Sequence, residues 1–584
     1  MTSRASRSLV FFLCLAVVLA ACGGGGGGGG GNPVTYTLTY EPNGATGGTV
    51  PVDAHRYTQG QSATVLGNTG NLVRAGYQFT GWNTRADGSG VAYAPGQSCV
   101  MPGASIVLYA HWGAGSGGLS VGYDANGATG GSVPVDPTSY GVGQTVTVAA
   151  NTGGLVYPGY RFVGWQTKSD GSGTAYAPDS TFTLGSVNVT LYALWAGGYA
   201  YTVNHNEGAE GAISQFTIGP NGALTPMFTP SVDAGGTDTR YVSVDPAGKY
   251  LYATNLANSG HSGSLTQFAI DQANGALGPM SPPTVPIPSA WNPGPVAGVA
   301  HPGGSWFYEI MSVSQAVWGT SAAGIVQLDV GTTGALTSPS MTVIPNYNGW
   351  VQPTAIAMEP SARYAYLGAG AWACPDGQGC IVEYGVDAGS GALTHLGDTG
   401  TLDSASGWVY VDDVRVLQLA SGEYVYATNG YSSGEIFEFS VNADGTLTPL
   451  GSLPVAPTVC TCATSGNYAT AGQIALHPSG KYAYVTFSCC SSLQSVAQFT
   501  VDQDHGTLSP MTPATVLSSG SSQSIALDPR GEHAYVTSGS TGFASHSIAQ
   551  YAIDPGTGAL TLMSNPTVDT GATGPSGIVT VPVH

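Results

Sequence analysis

Charge is scarce in this chain. Asp, Glu, Lys and Arg make up 8% of its 584 residues, and Lys plus Arg number 13. That leaves little of the Lys-, Glu- and Arg-rich sequence from which surface helices are built. A formal net charge of −20 excludes the basic face that nucleic acid requires. Long apolar runs are also lacking, since no stretch beyond residue 21 is apolar enough to cross a bilayer. Cysteine is sparse, with nine residues, two of them at or before position 22. Glycine is abundant, with 88 residues set among short segments of alternating polarity, and this profile predicts an all-β chain of many strands and turns.

Residues 1–21 read as a leader. Arg4 and Arg7 precede an apolar run, Leu9 to Ala21, that is too short for a membrane-spanning helix. The run ends Leu19-Ala20-Ala21-Cys22, which resembles a bacterial lipoprotein signal. The resemblance implies export, cleavage before Cys22 and lipidation of its thiol, anchoring the protein to a bacterial membrane, the outer one, on its periplasmic or surface face. Ordinary secretion with a chance cysteine is the other reading. Within residues 22–35, Gly23 to Gly31 form an unbroken glycine tether, a coil of about 15–18 Å root-mean-square reach.

Residues 36–112 and 121–195 are one module written twice, every shared motif offset by 83 residues. Asn43-Gly44-Ala45-Thr46-Gly47-Gly48, Gly76-Tyr77-x-Phe79-x-Gly81-Trp82 and Leu108-Tyr109-Ala110-x-Trp112 recur from Asn126, Gly159 and Leu191. These motifs resemble the internalin-type B-repeats of bacterial surface proteins, which implies a compact β-grasp-like fold used as stalk or spacer. In a module of this size a few aromatic side chains must supply most of the burial. Tyr77, Phe79, Trp82 and Trp112 are therefore the expected core, with ligand stacking by Trp82 and Trp165 as the alternative. Asp87-Gly88-Ser89-Gly90 and Asp170-Gly171-Ser172-Gly173 are turns with too few oxygen ligands for calcium. Only Ala196, Gly197 and Gly198 follow the second module, so it is expected to sit close against the next domain.

From residue 199 a single unit recurs. Its landmark, Gly followed by Ala or Thr and then Leu, falls at Gly222, Gly275, Gly334, Gly391, Gly445, Gly506 and Gly558. Spacings of 52 to 61 residues with about four strands per copy predict a β-propeller. The first copy lacks its innermost strand, and Pro575-Ser-Gly-Ile-Val-Thr-Val-Pro582 aligns with the innermost strand Pro353 to Pro360. The C-terminal strand 575–582 thus closes residues 199–584 into a seven-bladed ring and removes both open edges. The Tyr-x-x-Asn strands Tyr201 to Asn204, Tyr252 to Asn255 and Tyr426 to Asn429 resemble surface-layer (YVTN-type) and lactonase-like propellers. That resemblance implies the ring fold and, for activity, hydrolysis of a sugar or aryl lactone. The Asp-Leu-Gly and Pro-Arg-His elements typical of bacterial 6-phosphogluconolactonases are absent.

Loops between second and third strands and between blades share one face, the top. His301 and His477 align with Asp245, Glu359 and Asp528 and are expected to cap turns. Arg240 and Arg415 stand where innermost strands begin, near Asp238, Asp412 and Asp413. There they would either hold an anionic ligand at the channel mouth or tie blades together through those aspartates. Top loops collect Trp291, Trp318, Trp350, Trp372 and Trp408, with Tyr347, Tyr431 and Phe543, which would stack on sugars, anchor a partner, or pin the loops. His205, His261 and His546 lie on the same face as general-base candidates; none shares a metal-binding spacing, and neither metal nor cofactor is expected. Cys374 and Cys380 bracket a short loop, while Cys460 and Cys462 face Cys489 and Cys490 across blade 6. For an exported chain these six predict disulfides, with zinc the alternative for the second group, and Cys99 lacks an obvious partner.

The function these features predict is an envelope protein held to its membrane by lipid alone, its ring binding a glycan, peptide or envelope protein. The alternatives are a lactonase and a purely structural surface module. A lactonase would use Arg240 or Arg415 to stabilise an oxyanion, and Asp412, Asp413, His205 or His261 to activate water.

Overall fold

The computed structural model describes residues 34–583 apart from 75–76, 115–117, 205–209, 257–262, 288–292, 314–322, 345–352, 371–377, 401, 403–408, 431–433, 456–468, 490–492, 519–521, 539–545 and 573. Among the described residues all regular structure is β, with no helix. The chain divides into two compact units, one up to Gly118 and one from Leu119.

The first unit is the first repeat. Its four-stranded sheet runs Leu38–Glu41, Ile106–Ala114, Tyr77–Asn83, Ala92–Tyr93, the first and last strands of the module pairing parallel at one edge. A two-stranded sheet, Ser62–Thr64 with Ser98–Val100, covers it. Trp82 is fully buried and donates from Nε1 to the Leu66 carbonyl at 2.8 Å; Trp165, its twin in the second repeat, is equally buried and donates to Ala149 at 2.8 Å. Both are core, not ligand-stacking surfaces. The Asp87 loop is a local turn in which Ser89 donates from N and Oγ to the aspartate.

The second unit joins the second repeat to the ring. Seven antiparallel four-stranded sheets form the blades, and the sheet of blade 1 has the order Leu224–Thr237, Glu210–Ile218, Gly198–Asn204, Pro575–Pro582. The C-terminal strand pairs from Gly198↔Pro582 to Asn204↔Pro575, which closes the circle. The innermost strands of blades 2 to 7 are Thr239–Val244, Pro293–Ala300, Pro353–Met358, Val411–Leu419, Ala469–Leu476 and Ser522–Leu527. Burial falls outward: the second strand Tyr250–Asn255 is almost wholly buried, whereas the fourth, Leu277–Pro286, alternates and is largely exposed.

Two side-chain contacts, repeated round the ring, hold neighbouring blades together. A second-strand tyrosine (Tyr201, Tyr252, Tyr308, Tyr366, Tyr426, Tyr484, Tyr535) donates its hydroxyl to the carbonyl of the landmark glycine in the next blade at 2.5–3.1 Å. That glycine has left-handed backbone, φ +69° to +86°. A Cβ there would press to within 2.1–2.5 Å of the ring two residues before the tyrosine, Tyr424 against Gly506 for example. Chirality and space both demand glycine. The second contact comes from the third strand, where Gln215, Gln267, Glu383, Glu438, Gln498 and Gln550 each accept the amide of a fourth-strand leucine next door at 2.6–2.8 Å. Buried polar groups are thus satisfied between blades.

The turn caps follow the sequence reading. Asp245 accepts three backbone amides and Asp528 two, and His301, Glu359 and His477 each accept one through Nδ1 or Oε1.

The second repeat is seated on the ring. Val163, Leu194 and Ala196 share an apolar cluster with Tyr199, Met227 and Leu277. Thr225 donates from Oγ1 to the Gly171 carbonyl at 2.8 Å. Arg530 lies 4.1 Å over the Tyr160 ring and donates to the Gly159 carbonyl. The first repeat has Thr80, His111 and Gly113 at the positions of Val163, Leu194 and Ala196, the first two of them exposed.

Candidate functional site: the mouth of the channel

Each innermost strand enters the channel through a register irregularity. Arg240 falls in it between Thr239 and Tyr241 in blade 2, and Asp412 between Val411 and Asp413 in blade 5. One step further in, four blades contribute polar side chains at the same level, Tyr241, Asp413, Gln473 and Ser524, and three contribute Ala297, Ala355 and Gly577. Two residues deeper, Arg415 pairs across to Tyr426 as Ser243 does to Tyr252, in a level otherwise small or apolar. These strands enclose a cavity of about 250 Å³ lined by Tyr241, Asp412, Asp413, Arg415, Gln473 and Ser524 on its polar side.

Asp413 is buried and fully engaged. Its Oδ1 accepts the Val414 amide at 3.0 Å and meets Arg415 Nη1 at 3.2 Å; its Oδ2 accepts the Ile474 amide of blade 6 at 3.0 Å. Burial raises its pKa, against the pull of Arg415 and the two amides. Ser524 donates to Gln473 Oε1 and accepts the Ile578 amide at 3.2 Å, carrying the polar chain from blade 6 through blade 7 to blade 1. Asp412 is solvent-exposed in area yet walled in by the ring, so it is desolvated while staying reachable from the channel. That desolvation, and then the charge of Asp413, push its pKa up to about 6. The Tyr241 hydroxyl is pushed far above its ordinary value, chiefly by burial.

The two arginines do not form the matched pair that their sequence positions predict. Arg240 leaves the channel lining and binds Asp238, Nε to Oδ1 at 2.9 Å. Arg415 sits deeper, holding Asp413 and donating from Nε to the Ile474 carbonyl at 3.2 Å. The difference is one of register: the irregularity places Arg240 opposite Asp412, not opposite Arg415. Each arginine does pair with its nearby aspartate, and Arg415 and Asp413 bridge blades 5 and 6. Tyr241, Gln473 and Ser524 were missed from sequence; aligning the innermost strands on that irregularity would have found them as polar residues sharing one level.

His205, His261, Trp291, Trp318, Tyr347, Trp350, Trp372, Trp408, Tyr431 and Phe543 lie outside the described residues, as do Cys374, Cys460, Cys462 and Cys490. Cys489 closes the strand Tyr482–Cys489. Among the described cysteines Cys99 is a buried free thiol, and Cys380, buried at the start of its strand, is not free. Asp528, Glu532 and His533 are close enough to hold a cation, but Asp528 Oδ1 already accepts the amides of Glu532 and His533.

Comparison with known proteins agrees with this architecture. The Listeria-Bacteroides repeat domain family matches residues 36–111 and 120–194, and the family described as lactonase, 7-bladed beta-propeller matches residues 420–575. A protein of Evansella cellulosilytica named as a Gly-rich membrane protein is 35% identical over 199 residues, 33% of this chain and 22% of that protein. A second membrane protein of that organism, by its name, is 35% identical over 124 residues, 21% of this chain and 16% of the relative. The chain therefore spans about a fifth of the length of these relatives. Among solved structures, the periplasmic gluconolactonase of Pseudomonas aeruginosa superposes with a TM-score of 0.52 at 16% identity, over 66% of this chain and 99% of that one. A 6-phosphogluconolactonase candidate from Bacteroides uniformis gives 0.51 at 16% identity, over 66% and 99%. At such identities the likeness speaks for the fold. The chain carries two segments matching the Listeria-Bacteroides repeat, followed by a seven-bladed β-propeller of which residues 420–575 match the lactonase propeller family.

Proposed function

We propose that the protein is an exported, lipid-anchored component of the cell envelope whose propeller binds a small sugar-derived ligand at the channel mouth. One observation carries this reading: Asp412 and Arg415 open on the same cavity, a carboxylate to accept hydroxyl hydrogen bonds beside a guanidinium to donate them. A cavity of about 250 Å³ suits one sugar ring, being smaller than the about 300–1,000 Å³ of pockets for drug-sized ligands. The leader ending at Cys22, the glycine tether and the two repeats supply anchor and spacer, and the names of the Evansella relatives favour membrane association. Saturation-transfer NMR and calorimetry with monosaccharides and their lactones test the site. Binding should weaken at least tenfold in Arg415→Ala, and a panel wholly silent on the wild-type chain ends the reading. Cys22→Ser should move the protein from the membrane fraction to the soluble one.

A second reading, lactone hydrolysis, is favoured by the pKa of Asp412, about 6 in a reachable position, which suits a general base. Asp412 would take a proton from water as its oxygen adds to the lactone carbonyl, with Arg415 holding the oxyanion. The ring C–O bond then breaks, and the leaving oxygen recovers the proton. Asp412→Asn should abolish turnover and keep binding; a lactone panel without turnover leaves the binding reading alone.

A further inference from the structure

The cavity at the channel mouth has two unlike sides. Blades 5 to 7 supply most of the polar groups, with Tyr241 and Ser243 from blade 2, whereas blades 3 and 4 supply Ala297, Gly298, Val299, Thr354, Ala355 and Ile356. Of these Thr354 alone is polar, and it donates its hydroxyl to the Gly368 carbonyl at 3.1 Å. Gly298 is held flat from behind, since a Cβ there would lie 2.4 Å from both Glu309 Oε2 and the Phe307 ring. Glu309 is itself completely buried, its Oε2 accepting from Thr254 Oγ1 at 3.2 Å. This side is therefore mainly apolar, flattest at Ala297, Gly298 and Ala355, and its one hydroxyl, on Thr354, is already bonded to the backbone.

The charges count against a phosphorylated ligand. Arg415 is the one cation among the lining residues, and its guanidinium is already engaged by Asp413 at 3.2 Å and by the Ile474 and Val414 carbonyls at 3.2 and 3.4 Å. Phosphate recognition draws on several converging donors or cations. Here the Arg415–Asp413 pair is neutral and Asp412 adds negative charge, while Arg240, the nearest cation in the neighbouring sequence of blade 2, is bound to Asp238.

Resting on the ligand-binding reading above, we propose that the site takes an unphosphorylated, uncharged ring, a pyranose or its lactone. The apolar face of the ring lies on the Ala297–Gly298–Ala355 wall, its hydroxyl edge faces Asp412 and Arg415, and the corresponding 6-phosphate is rejected. The experiment is competition calorimetry on the full chain in detergent, with glucose and glucono-lactone against their 6-phosphates. The unphosphorylated member of each pair should bind at least tenfold tighter. Asp412→Asn, at a carboxyl with no hydrogen bond or ion pair among the described residues, should fold normally and cut that preference at least threefold. Ala355→Leu, which fills the flat wall, should abolish binding of both members, with thermal unfolding showing that the ring is intact. Equal or tighter binding of the 6-phosphates, or a preference untouched by Asp412→Asn, overturns this inference and leaves the binding site standing. Failure of all four compounds to bind the wild-type chain overturns the binding reading itself, and this inference with it.

Discussion

Tyr535 donates its hydroxyl to the carbonyl of Gly222 at 2.7 Å, linking blade 7 to blade 1 across 313 residues of chain. It is the same contact that joins every other neighbouring pair of blades, here made where the ring closes. Tyr535→Phe should destabilise the ring by about 1 kcal/mol, the net worth of one buried hydrogen bond. Gly222→Ala should cost more, because it adds strain at φ +75° to a 2.1 Å approach to His533. Urea unfolding of both variants beside Tyr252→Phe, the equivalent change at an internal junction, checks this; a silent Tyr535→Phe beside a destabilising Tyr252→Phe means the closure carries no load.

Glu383 and Glu438 occupy positions that are glutamine in the other blades and make the same bond to a leucine amide. Burial raises both pKa values, so each stabilises the fold most in its protonated form, below the unfolded value of about 4.3. That stability is lost as pH rises through the folded value. Glu438→Gln should therefore stabilise the ring by about 1 kcal/mol at pH 8 and by almost nothing at pH 4. Unfolding midpoints at the two pH values decide it, and a gain at pH 4 alone would reverse the sign argued here.

Glu423, near Arg363 and hydrogen-bonded to Glu359 at the junction of blades 4 and 5, is raised to about 7 by burial and then by Glu359. Glu423→Gln should remove a stability loss that the wild type shows as pH rises from the unfolded value of about 4.3 through about 7. Thermal melts across that interval measure it; parallel curves for the two proteins would refute it.

Arg530 is the ring's clearest hold on the second repeat, by its stacking on Tyr160 and its bond to Gly159. Arg530→Ala should weaken the seating by about 1–2 kcal/mol. Faster hydrogen exchange in the segment around Gly159, with the blades unchanged, is the expected readout.

If the six ring cysteines are oxidised as pairs, one thiol per mature chain, Cys99, should react with maleimide after denaturation without reductant. Three reactive thiols would remove one of the three pairs, and seven would dismiss them all.

Aligned glycines, period and a missing first strand made the ring readable, because each blade repeats the same local demands. Gly506 must be glycine wherever a tyrosine ring presses on its α-carbon. The repeat core was as plain, since Trp82 and Trp165 answer to the same small interior. The docking of the second repeat left only a faint trace, in Val163, Leu194 and Ala196 replacing Thr80, His111 and Gly113 in an otherwise matching copy.

Sequence alone determined that this chain is two small β repeats and a closed circle of seven sheets, because strand period, turn glycines and the borrowed last strand are local or repeating features. Tertiary structure alone decided which polar groups meet. Arg240 and Arg415 look equivalent along the chain, yet a shift of register turns one to Asp238 and sets the other in the channel wall beside Asp413. A site assembled from one residue of each blade depends on how seven strands, some fifty residues apart, line up around a common axis, and no local pattern encodes that.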